Sequence, residues 1–150
     1  MSDFLSPDLE TFLGKIANLS SETSSAWGSM NAQQMIEHLS NSIDLSLGKM
    51  EATLSITEDK VAGALAYLRS DKPFPKDFKT NYAPENPALK NENLEDAIDE
   101  LTIKWIEFEE YYLENPNASH LHPVYGMLNE ADWLKVHSKH FTHHFLQFNL

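Results

Sequence analysis

Four of the seven histidines in this 150-residue chain fall in one eight-residue window: His137, His140, His143 and His144. On a helix turning about 100° per residue, Trp133, His137, His140 and His144 share one sector about 60° wide, and His143 lies about 60° to one side of His140. His140 and His144 stand one turn apart, so their rings aim at one spot. Two imidazoles at that spacing are a common way for a helix to offer two ligands to one cation. The same spacing also occurs in exposed pairs that bind nothing. Crowding favours a site, because clustered imidazoles repel when charged and need donors and acceptors when neutral. A divalent cation resolves both problems. The chain has no cysteine. That excludes disulfides, thiolate zinc sites, iron–sulfur clusters and a cysteine nucleophile, and leaves an imidazole and oxygen donor set. Such a set suits zinc, nickel, iron or copper and does not choose between them. His137 shares the inward sector and could replace His140 or join it.

A third ligand has to come from another element. His38 is the leading candidate, at the edge of an apolar stripe in Gln34-Met35-Ile36-Glu37-His38-Leu39. Facing helices of a bundle do host metal sites. The alternative for His38 is a core histidine bonded to a backbone carbonyl. His143 and His122 are the candidates for catalytic proton transfer, because an unperturbed imidazole has a pKa of about 6.5. His143 could instead orient a ligand or face solvent, and His122 could instead fix its own loop by a hydrogen bond. Glu37 adjoins His38 in sequence but projects about 100° away from it. Gln34 reads as a helix cap rather than a ligand. Trp27 and Trp133 read as core rather than as a substrate platform.

Helices have to position these residues. Ser6-Pro7 reads as a cap and first turn, followed by Leu9, Phe12, Leu13 and Ile16 at helical spacing. Asn31 and Gln34 have capping-box spacing, and Met35, Ile36, Leu39, Ile43, Leu47 and Met50 form a stripe that carries a second helix to about residue 51. A shorter helix is expected over residues 58–69, capped by Thr57. Residues 71–93 hold four prolines and read as a long crossover. A third principal helix covers about residues 93–113, with Leu94, Ala97, Ile98, Leu101, Trp105, Phe108 and Tyr112 on one face and glutamates on the other. Asn129, with Asp132 three residues on, starts a fourth that runs to about residue 148. No segment alternates with period two, so no sheet is expected. The fold class is all-α: one domain over residues 1–150, a four-helix bundle with a long crossover between the second and third principal helices.

Charge narrows the partners. A net −12 argues against nucleic acid, whose binders neutralise phosphates with Lys and Arg. The longest apolar run, residues 61–68, is far short of the roughly 20 residues a membrane span needs. The start MSDFLSPDLE does not read as a secretory signal. A cytoplasmic protein acting on a small molecule is the expected setting. The exposed Glu107, Glu109, Glu110 and Glu114 read as a solvated face.

In order along the chain, these residues resemble a known family. Trp27-Gly28-Ser29-Met30-Asn31-Ala32-Gln33-Gln34-Met35-Ile36-Glu37-His38 is similar to the entry of the second helix in the DinB-like superfamily, in the branch with a W-G-x-M-x-x-x-Q-M-x-x-H signature. His122-Pro123-Val124-Tyr125-Gly126-Met127-Leu128 resembles that branch's H-P-x-x-G-x-L loop. Trp133 followed by His140-Phe141-Thr142-His143-His144-Phe145-Leu146-Gln147-Phe148 resembles its terminal W…H-x-x-H-H-x-x-Q-F helix. The resemblance covers roughly residues 25–149 and implies a DinB-like four-helix bundle. It also implies a divalent metal, zinc or nickel before iron, on His38, His140 and His144. Some members of the superfamily are S-transferases that use a low-molecular-weight thiol such as bacillithiol or mycothiol, and homodimers are common among them. A three-histidine metal can lower the pKa of water from about 15.7 toward about 7 for hydrolysis, or bind and deprotonate a thiol. The expected function is therefore thiol S-transfer or hydrolysis on a small molecule. The competing expectation is a non-catalytic bundle that binds a metal or small ligand, or serves as an interaction module.

Overall fold

The computed structural model describes residues 3–76 and 86–150. Among these are five helices and one hairpin, in the order α1 (Leu9–Ile16), α2 (Ala32–Ser46), α3 (Glu58–Arg69), α4 (Leu94–Glu114), β1 (His120–His122), β2 (Gly126–Leu128) and α5 (Glu130–Gln147).

Local chemistry sets the helix ends. At α2 the capping box is complete: the Asn31 side chain accepts from the Gln34 N–H, and the Gln34 side chain accepts from the Asn31 N–H. Asn93 and Asn129 accept from the amides three residues on and start α4 and α5 in the same way. The first helix differs from expectation, because its cap is Asp8 rather than Ser6. Asp8 is extended, and its carboxylate accepts the Thr11 N–H at 2.7 Å. A charged acceptor at a helix N-terminus also meets the positive end of the helix dipole. Thr57 precedes α3 in extended conformation without a side-chain cap bond. The second helix stops at Ser46, short of residue 51. Gly48 turns left-handed (φ +72°), and a Cβ there would lie 2.4 Å from the His120 ring. The backbone can pass that ring only as glycine.

The hairpin corrects the expectation of no sheet. It pairs His120 with Leu128, Leu121 with Met127 and His122 with Gly126, antiparallel. Each strand is three residues long, too short for alternation to show.

The core lies between α2, α4 and α5. Met35, Ile36, Leu39 and Ile43 of α2 meet Ala97, Leu101, Trp105, Phe108 and Tyr112 of α4 and Trp133, Val136, Phe141 and Phe145 of α5. Phe12 closes one end, edge-on to Trp105 at 5.0 Å and against Phe141 at 4.1 Å between centroids. Fully burying each large side chain is worth about 1.5–3 kcal/mol. Arg69 holds α3 to the first turn of α5 through paired bonds of 3.0 and 2.9 Å to Asp132. No helix among the described residues is long and apolar enough to cross a membrane.

Both described ends of the crossover are fastened to α2 and α5. Lys139, buried on α5, donates to the carbonyls of Tyr67 (3.0 Å) and Lys72 (2.7 Å). Glu37, buried on α2, accepts from the N–H groups of Lys90 (2.7 Å) and Asn91 (3.0 Å). Gln34 donates to Asn86 and to the Pro87 carbonyl. Residues 77–85, the middle of the expected crossover, lie outside the described residues.

Candidate metal centre

The packing of α2 on α5 sets His38 against His140 and His144. Nε2 of His140 lies 2.8 Å from Nε2 of His38 and 3.1 Å from Nε2 of His144. One ligand atom from each of the three lies within 4.8 Å of the other two. The rings meet edge-on, with centroids 4.7–4.9 Å apart.

Hydrogens alone do not satisfy this arrangement. The Gln147 side-chain N–H₂ donates to the Trp27 carbonyl at 2.9 Å, which turns its oxygen toward His144 Nδ1, 2.7 Å away. An amide oxygen only accepts, so Nδ1 carries the hydrogen and His144 Nε2 presents a lone pair. One hydrogen between His140 and a neighbour then serves one short contact and leaves the other without its own donor. A cation with metal–nitrogen bonds of about 2.0–2.1 Å gathers three such nitrogens at mutual spacings near this size. The rings are also in the form that binds metal. Burial holds His140 and His144 well below the usual imidazole range and brings His38 down to about 4. The three imidazoles fit a divalent cation.

The sequence motifs acquire physical reasons here. Gly28 has φ +78°, and a Cβ on it would stand 2.7 Å from Gln147 Nε2. Glycine lets the chain after Trp27 approach the amide that orients His144. The Ala26 N–H completes the tie by donating to the Gln147 carbonyl at 2.7 Å. A group fixing the far nitrogen of a ligand histidine is the usual outer partner of a metal site. From the sequence, Gln147 is expected to bond backbone or a neighbouring helix, which its bond to the Trp27 carbonyl meets. Its part in orienting His144 is not among those expectations, although its place three residues after that histidine was the available signal.

The other expected residues separate. His143 is half-buried, with its ring 4.9 Å from that of His144 and 5.6 Å from that of Trp27. It donates to the Phe74 carbonyl, and burial keeps it below the ordinary value despite that bond. His122 is outside the three-histidine group. Its Nδ1 accepts the Val124 N–H at 3.0 Å, so it ties its own loop as an acceptor, and burial takes it to about 3. His137 neither replaces His140 nor joins it. Its Nε2 meets Ser46 Oγ at 2.9 Å, and that hydroxyl donates onward to the Ile43 carbonyl. Trp133 is core, as expected, whereas Trp27 is half-buried and packs against His143. Phe74 lies beside His140, with ring distances of 6.3 Å to both His140 and Tyr125.

Fold and site together define a mostly helical protein with a histidine triad at metal-binding spacing. The chain belongs to the family described as Protein of unknown function (DUF1569), whose profile matches residues 2–149. No curated protein and no solved structure matches it.

Proposed function

We propose that this chain is a divalent-metal-dependent enzyme on a DinB-like four-helix bundle, acting on a small molecule by thiol S-transfer or hydrolysis. The observation that carries this reading is the inward convergence of three neutral imidazole nitrogens, two of whose contacts are 2.8 and 3.1 Å. His38, His140 and His144 would hold the metal, and Gln147 would keep His144 in the required tautomer. The bound cation would supply Lewis acidity to a water or a thiol. His143 touches the triad and is neutral at physiological pH, so it is the residue placed to take up a proton. His122, committed to the Val124 amide, is less suited to that role. Phe74 lies beside His140 and stacks on Tyr125, which places aromatic rings on one side of the triad. The net charge of −12 favours a small molecule over nucleic acid as the partner.

Metal content of the purified protein, with and without His38→Ala, tests the site. Near-stoichiometric metal in the parent and loss in the variant is the expected result. A folded parent that cannot be loaded would reduce the histidines to a structural network. Loss of a model electrophile only with added thiol would assign the transferase chemistry, and thiol-independent ester or amide cleavage the hydrolase. A loaded protein that turns over neither class overturns the enzymatic reading.

A further inference from the structure

Beside the triad lies a group that metal binding does not use. The Lys76 ammonium sits over the Trp27 ring, 4.4 Å from its centroid. Trp27 Nε1 is buried and has no hydrogen-bond partner among the described residues. Between this pair and the triad stands His143, with its ring 5.6 Å from Trp27 and 4.9 Å from His144. Both sides are fixed to one helix. Trp27 is tied through its carbonyl to Gln147, and the segment leading to Lys76 is tied through the Phe74 carbonyl to His143 and the Lys72 carbonyl to Lys139. Lys76 makes no ion pair among the described residues.

We propose that Lys76 and the Trp27 indole N–H form an anion subsite that receives the carboxylate of a small substrate while its reacting group faces the histidine triad. This rests on the triad being the reaction centre and names its substrate class: carboxylate-bearing small molecules. An unpaired donor at the edge of a ring and a cation over its face offer a carboxylate two charge-assisted or polar bonds. A buried N–H left unbonded carries a desolvation penalty that such a ligand removes. On a chain of net charge −12, a fixed ammonium at this place offsets the general repulsion an anion meets.

The test compares 3-mercaptopropionate with 2-mercaptoethanol in two readouts. In metal-free protein, the Trp27 indole N–H resonance, assigned with Trp27→Phe, should shift saturably with the acid and not with the neutral thiol. In cobalt-loaded protein, the visible spectrum should report affinity for the acid greater by about tenfold, a preference that falls toward unity in Lys76→Gln and in Trp27→Phe. Both substitutions leave the triad and its Gln147 bond in place, and circular dichroism checks their fold. A preference that survives both changes comes from the metal alone and overturns the subsite, as does an indole resonance indifferent to the acid. Failure to take up cobalt removes the metal reading, and the indole measurement still decides the subsite.

Discussion

Helix α5 contributes to two histidine arrangements within two turns, one shared with β1 and one with α2, and they are built on opposite principles. His137 and His122 are buried and neutral, and each has a ring nitrogen bonded to protein: His137 to the Ser46 hydroxyl, His122 to the Val124 amide. His140, His144 and His38 are held neutral by burial as well, yet their Nε2 atoms face one another. Burial and a depressed pKa are therefore common to both groups and do not distinguish a ligand from a core residue. The difference lies in what each nitrogen points at.

The largest expected effect comes through acid, and it falls on both groups. Burial takes His122 and His137 to about 3, against 6.5 when exposed. Above 6.5 both are neutral folded and unfolded, so they contribute no pH dependence. Below it the unfolded chain takes up protons that the folded chain refuses, and stability falls. Each group removes up to about 1.4 kcal/mol per pH unit, so about 2 kcal/mol each and about 4 together by pH 5. In metal-free protein the triad adds in the same direction. Urea midpoints from pH 7.5 to pH 5 should show this slope, and His137→Ala should flatten part of it. A flat profile would mean that these rings are not buried neutral in solution.

At pH 7.5 the same variants should part company. His137→Ala leaves a cavity at a fully buried position and breaks the bond to Ser46, which should cost about 3 kcal/mol with or without metal. His140→Ala removes a ring whose nitrogen has no donor of its own for both short contacts. It should change metal-free stability far less, and abolish the stabilisation that metal gives the parent, about 2.7 kcal/mol at a free concentration one hundred times the Kd. Thermal melts with and without zinc check both. Equal losses in the two metal-free variants would erase the distinction drawn between the arrangements.

The sequence carried the helices and the triad for identifiable reasons. Apolar stripes mark α2 and α4, Asn caps mark α2 and α5, and the i, i+4 spacing of His140 and His144 fixes their common direction whatever the rest of the fold does. His38 needed more, since its ring meets theirs only through the packing of α2 on α5. The hairpin was hidden by its short strands, and the early end of α2 by a tertiary cause, the His120 ring beside Gly48. Glu37 and Lys139 were also unreadable as anchors. Each bonds backbone groups more than 50 residues away, and no local pattern announces such a partner.

Gln147 provides a finer probe of the triad side. Gln147→Leu keeps the approximate volume and removes both the acceptor for His144 Nδ1 and the donor to Trp27. Loss of an outer partner of this kind commonly weakens metal affinity by 10–100-fold, which is about 1.4–2.7 kcal/mol. Competition with a chromophoric chelator should read that loss. An unchanged affinity would show that the ring of His144 holds its tautomer without the amide.

The smallest expected effect sets a control for the whole comparison. Asn31 caps α2 seven residues before His38, and its side chain contacts the Gln34 amide rather than any histidine. Asn31→Ala should lower stability by about 1 kcal/mol through the lost cap. Gln34 would keep its bonds to Asn86 and Pro87, so the crossover would stay fastened. Metal affinity in the same chelator assay should then match the parent, because His38 sits two turns into the helix, beyond the reach of fraying at its first residue. A fall in affinity comparable to that of Gln147→Leu would mean that the position of His38 depends on the helix end, and that the triad is set by α2 as a whole rather than by its contact with α5.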